Sequence, residues 1–122
     1  MIMKPVAKYV YCQTKWEDFH RYPNAPEEVA FLRTLHRHEF HIKLSVAVSH
    51  DDREVEFIIM KRWVEAEVIP ELKKMWEFKS CEMMCEKVAE LVFEKWEAVD
   101  KATVEISEDG ENGSYVTFLK TI

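Results

Sequence analysis

The chain has 122 residues, of which 48% are hydrophobic and 33% charged, and 17 basic against 23 acidic side chains leave a net charge of −6. This composition supports one folded core that buries about two-thirds of the unfolded surface, and it excludes a disordered chain. The acidic balance argues against nucleic acid as a partner, because such binders carry a basic face. No apolar run approaches the roughly 18 residues of a membrane span, and the apolar stretch at 1–8 is too short for a secretory signal. The expectation is one soluble, cytoplasmic domain over residues 1–122.

In chain order, Val6–Cys12 is rich in β-branched and aromatic residues and reads as a strand. Trp16–Leu35 loses periodicity and contains Pro23 and Pro26, so it reads as a long ordered loop with a short helical turn at Pro26–Val29. Glu39–Val48 places Phe40, Ile42, Leu44, Val46 and Val48 on one face, a half-buried strand. After the polar turn at His50–Arg53, Glu54–Phe57 leads into a helix bracketed by Ile59, Trp63, Ala66 and Pro70, with Pro70 expected to kink or end it.

Ser80 is the N-cap of a second helix with an apolar stripe through Met84, Val88, Leu91, Val92 and Trp96. A hairpin closes the chain: Ala102–Ile106, a turn containing Asp109-Gly110 and Asn112-Gly113, then Tyr115–Leu119. The order β-β-α-α-β-β predicts an α+β fold, an antiparallel four-stranded sheet with two helices on one face. Such a sheet has two free edges, and joining subunits into an oligomeric barrel would pair them.

Glycine-rich phosphate loops are excluded, since Gly110 and Gly113 are the only glycines. Cys12, Cys81 and Cys85 have neither a disulfide framework nor zinc-knuckle spacing, and read as reduced thiols packed as small hydrophobes. The four tryptophans read as packing, and Glu65, Glu67, Glu86 and Glu90 as solvated helix charges.

The histidines carry the chemistry. His36 and His38 are two apart beside the alternating strand, so they project to one face, and His20 lies sixteen residues earlier. Three imidazoles with a fourth position open are the donor set of catalytic zinc. His41 is out of phase with the pair and reads as a non-ligand, and His50 as a turn residue.

These residues resemble a known family. Phe19-His20-Arg21-Tyr22-Pro23, Pro26-Glu27-Glu28 and Leu35-His36-Arg37-His38-Glu39-Phe40 are similar to the 6-pyruvoyltetrahydropterin synthase and 6-carboxytetrahydropterin synthase family. Val55-Glu56-Phe57-Ile58-Ile59-Met60-Lys61, Ser80-Cys81-Glu82 and Val104-x-Ile106-x-Glu108 agree with its later motifs in order and spacing. The resemblance implies the tunnelling fold, in which sheets of several subunits, six by the family's habit, close into a barrel. It also implies zinc at His20, His36 and His38, and a heterocycle held by Glu108 with the Ser80, Cys81 and Glu82 helix start.

The family's catalytic groups are missing. Its cysteine, four residues before the paired histidines, is Leu32 here, and the stretch Glu71–Ser80 lacks the Asp-His relay. Arg37 replaces the glycine between the histidines, and Glu39 the asparagine after them. Without a proton-transfer group such chemistry loses typically 10²–10⁴-fold in rate. Three readings follow: a module binding a pterin-, purine- or nucleotide-like ligand; a metal-dependent hydrolase, lyase or isomerase using Glu39, Glu56 or Glu82 as base; and a structural oligomer with a vestigial site.

Overall fold

The computed structural model describes residues 1–121. Strands β1 (Tyr9–His20), β2 (His36–Ala47), β3 (Lys101–Glu108) and β4 (Asn112–Leu119) form one antiparallel sheet in the order β1-β2-β3-β4. The antiparallel four-stranded sheet with helices on one face is as expected, and the short helical turn expected at Pro26–Val29 is a 3₁₀ segment, Glu27–Arg33. No helix among the described residues is long and apolar enough to cross a membrane.

One face of the sheet is dry. Cys12 and Trp16 from β1, Phe40, Ile42, Leu44 and Val46 from β2, and Ala102, Val104 and Ile106 from β3 all turn inward, and the Trp16 and Phe40 rings stack at 5.3 Å. Helices cover that face. The first helical rod comprises α1 (Phe57–Trp63), a π-helical turn (Val64–Val68) and α2 (Ile69–Lys74); the second is α3 (Cys81–Lys95). Trp63 meets Trp96 edge to face at 4.7 Å, linking the rods.

Several boundaries differ from the sequence reading. The first strand begins at Tyr9 and continues to His20, so Trp16–His20 is ladder rather than loop. Its inward positions there are Trp16, Asp18 and His20, all buried, and the two polar members conceal the alternation. The second strand begins at His36, not Glu39. The first helical rod neither ends nor breaks at Pro70. Pro70 lacks an N–H and its ring crowds the carbonyl four residues back, and the wider turn just before it, where Ile69 N–H bonds the Val64 carbonyl five residues away, accommodates the ring.

The buried face of that rod is Met60, Val64, Val68 and Leu72, while Ile59 and Ala66 face outward. Ser80 caps α3 as expected, its hydroxyl accepting from Met83 N–H at 3.1 Å. Asp109 and Gly110 turn the hairpin with φ of 57° and 70°, the left-handed pair that a tight hairpin requires. Gly113 is not a turn residue. It lies in β4, where a Cβ would stand 2.1 Å from the Ile106 carbonyl oxygen.

The sheet is uneven along its length. β1 pairs with all twelve residues of β2, but β3 pairs with β2 only from Phe40 to Val46. The His36–Glu39 end of β2 therefore projects past β3 as a two-stranded ribbon.

Candidate metal centre and adjoining cleft

The projecting ribbon brings the histidines together. His20 and His36 are register partners, and His38 stands opposite Asp18, so all three imidazoles emerge on the inward face. Phe40, fully buried, lies against the rings of His20 and His38, with centroids at 5.2 and 5.7 Å. One nitrogen from each of the three rings falls within 4.8 Å of the others.

Each ring is oriented by an acceptor at Nδ1. His20 faces the Lys79 carbonyl at 3.0 Å, His36 the Thr34 carbonyl at 2.8 Å, and His38 the Asp109 carboxylate at 2.7 Å. These partners only accept, which assigns the proton to Nδ1 and leaves the Nε2 lone pairs to converge. Nε2 of His36 and of His38 is buried and has no hydrogen-bond partner among the described residues. Outer acceptors of this kind commonly orient metal-binding imidazoles, so the residues fit a zinc ion.

The orienting groups are themselves anchored. Asp109 accepts the Glu39 N–H at 2.9 Å while its own N–H bonds the Glu39 carbonyl at 2.7 Å. The Glu39 N–H donated to it, followed by the His38 bond, holds the Asp109 carboxyl below the usual carboxylate range. Burial lowers the His20 pKa, opposed by the Lys79 carbonyl and by Glu108. Lys79 is 2% exposed, and its ammonium meets Asp18 at 2.5 Å and the Leu72 carbonyl at 2.8 Å. Asp18 also accepts from Trp16 Nε1 at 3.3 Å and from Phe19 N–H at 2.8 Å. Sequence reasoning missed this pair, because neither a lysine in a loop nor an aspartate before a histidine signals burial.

Beside the centre lies an open cleft of about 500 Å³, reached by His20, His36, Glu108, Ser80, Cys81 and Glu82, with Leu32 and Phe78 as apolar wall. The structure thus brings together the expected metal and ligand residues, with His38 at the metal centre beside the cleft. Their polar atoms are partly engaged: the Ser80 hydroxyl in its cap, and the Glu82 carboxylate by the Ser114 hydroxyl at 2.6 Å. Glu108 lies against the histidines, with Oε1 3.5 Å from His20 Nε2 and Oε2 3.0 Å from His38 Nε2.

Two of the possible bases lie elsewhere. Glu56 caps α1 through Ile59 N–H, and Glu39 turns to the other face of the sheet, beside His41 and Lys15.

The surroundings of the thiols disfavour their thiolates. Burial, then the Glu108, Cys85 and Glu82 charges, push Cys81 up to about 12, against the lowering a helix N-terminus exerts. Burial also raises Cys85 to about 12 and Cys12 to about 11. At pH 8 a chromogenic disulfide reagent should label the three thiols at least tenfold more slowly in native than in urea-unfolded protein; fast native labelling of Cys81 would contradict this.

No family model and no curated protein matches the chain. Among solved structures it is similar to a protein of Vibrio cholerae O1 biovar El Tor described as a dihydroneopterin aldolase (FolB). The two share 17% identity at a TM-score of 0.57, over 93% of this chain and 98% of the other. At that identity the likeness concerns architecture alone: the chain has the single-subunit architecture of the tunnelling fold, a four-stranded antiparallel sheet backed by helices.

Proposed function

We propose that the chain binds zinc through His20, His36 and His38 and holds a pterin-, purine- or nucleotide-like heterocycle in the adjoining cleft, without the synthase reaction of the 6-pyruvoyltetrahydropterin synthase family it resembles. The convergence of three Nδ1-anchored imidazoles beside that cleft, two of which line it, carries the reading. Zinc there would supply Lewis acidity toward an oxygen of the bound molecule. Glu108 supplies a carboxylate able to accept paired N–H groups from an aminopyrimidinone edge. Phe78 and Leu32 supply flat apolar contact, and Ser80, Cys81 and Glu82 bring the start of α3 to the cleft.

The missing proton transfer argues for capture rather than turnover. Leu32 has no titratable group, and the Cys81 thiol stays protonated at neutral pH.

Calorimetric titration with pterins, guanine-type bases and nucleotide-derived compounds should find a ligand of the zinc-loaded protein that Glu108→Ala binds about 1.5–3 kcal/mol more weakly, the range for a hydrogen bond to a charged group. Equal affinity in the variant would remove the proposed anchor, and turnover of dihydroneopterin triphosphate by the native protein would overturn the non-catalytic reading.

The same proposal includes a closed homo-oligomer. β1 and β4 are the sheet's edges, with Tyr9, Tyr11, Tyr115 and Leu119 exposed along them, and such edges are stable when paired with another copy. Light scattering at micromolar concentration should give a multiple of 14.6 kDa; a clean monomer would defeat this part.

A further inference from the structure

We infer that the ligand of the cleft is a heterocycle carrying an apolar substituent and no anionic one, and that Tyr22, Phe78 and Met83 receive that substituent. The inference narrows the heterocycle reading above and rests on it. The cleft has two kinds of wall. His20, His36 and Glu108 bring the polar end of the sheet to it. The rest is apolar: Tyr22 and Leu32 come from the segment between β1 and β2, Phe78 from the loop before α3, and Met83 from the first turn of α3.

That apolar wall is built in place. Tyr22 N–H bonds the Leu32 carbonyl and Arg21 N–H bonds the Glu77 carbonyl, each at 2.7 Å, so the two segments are tied together. Tyr22, Phe78 and Met83 are nevertheless about half exposed. Apolar side chains left open beside a cleft gain when a ligand covers them.

Charge decides against an anionic substituent. Among the described residues, the lining includes two carboxylates, Glu82 and Glu108, and two cationic residues, Arg21 and Lys79. Both cations are already matched. The Lys79 ammonium is buried against Asp18. Arg21 bonds Glu77 through Nε at 3.0 Å, and its guanidinium lies 4.9 Å from the Phe78 ring centre, so it extends the flat wall. A divalent ion at the histidines would balance Glu82 and Glu108 and leave no positive charge over. A phosphate or carboxylate on the ligand would therefore lose water without gaining an unpaired cation.

Calorimetric titration of the zinc-loaded chain with two matched series tests this. 9-Methylguanine, 9-benzylguanine and guanosine 5′-monophosphate share one aminopyrimidinone edge, as do 6-methylpterin, 6-phenylpterin and pterin-6-carboxylate. In whichever series binds, the aryl compound should bind at least about tenfold more tightly than the methyl compound, since each buried methylene-sized group is worth about fourfold. The anionic compound should bind more weakly than either. Tyr22→Ala and Met83→Ala should each narrow the aryl-to-methyl ratio by at least about threefold, and thermal melts report on their folding. Equal methyl and aryl affinities, tightest binding by the anionic compound, or an unchanged ratio in both variants would overturn the apolar subsite while leaving the Glu108 anchor in place. If no compound of either series binds in a Glu108-dependent way, the heterocycle reading falls and takes this inference with it.

Discussion

Replacing Lys79 by methionine should lower the stability of the fold by about 3–5 kcal/mol, the cost of leaving one member of a buried ion pair unpartnered. Lys79 and Asp18 have side chains 1% and 11% exposed, so little water is at hand to replace the lost contact. The ammonium also bonds the Leu72 carbonyl at the end of α2, which would then keep only the Met75 N–H. For a chain of this length the loss corresponds to roughly 10–20 °C in melting temperature. Lys79→Met with Asp18→Leu should recover most of it, since an apolar pair of similar volume often matches a buried ion pair. Urea unfolding of the three proteins decides the matter: a single-variant loss below about 1 kcal/mol would mean that the pair is solvated in solution.

His36→Ala combined with His38→Ala should reduce zinc from one per chain to a trace, measured by metal analysis of untagged protein. Zinc bound only to the folded state stabilises it by about 4 kcal/mol when free zinc is a thousandfold above its dissociation constant. The native protein should therefore melt higher with zinc, and the double variant should not respond. The metal-free double variant should fold at least as well as the metal-free native chain, because it no longer crowds three imidazole nitrogens within 4.8 Å of one another. A native protein without stoichiometric zinc, whose melting is unaffected by added zinc, would make these histidines structural.

Legibility in the sequence followed polarity. The second strand was plain wherever its inward residues were apolar, from Phe40 to Val46, and its first residues were missed where the inward positions became His38 and His36. The far end of β1 was hidden for the same reason, made worse by Phe19 facing outward beside inward Asp18 and His20. The site residues were nevertheless readable, because a His-x-His pair keeps a strand's two-residue period, His20 completes a three-imidazole donor set, and the resemblance supplied Glu108. What holds the site in place was not readable. Lys79 acts on His20 through a backbone carbonyl, and Asp109 acts on His38 across the hairpin turn, and neither relation leaves a mark in local spacing.

The uneven sheet separates the energetics of site and core. At the histidine end the ladder has thinned to two strands, tied down by Asp109 and by the loop bearing Lys79, whereas the core residues lie where three or four strands are in register. Opening of the ribbon tip exposes little apolar surface but separates Asp18 from Lys79, so the buried ion pair sets its cost. Substitutions at that tip can change what is bound there while the apolar layer beneath stays assembled. The architecture can thus tolerate change at the site, and the same partition lets a cation bridging β1 and β2 quiet the tip.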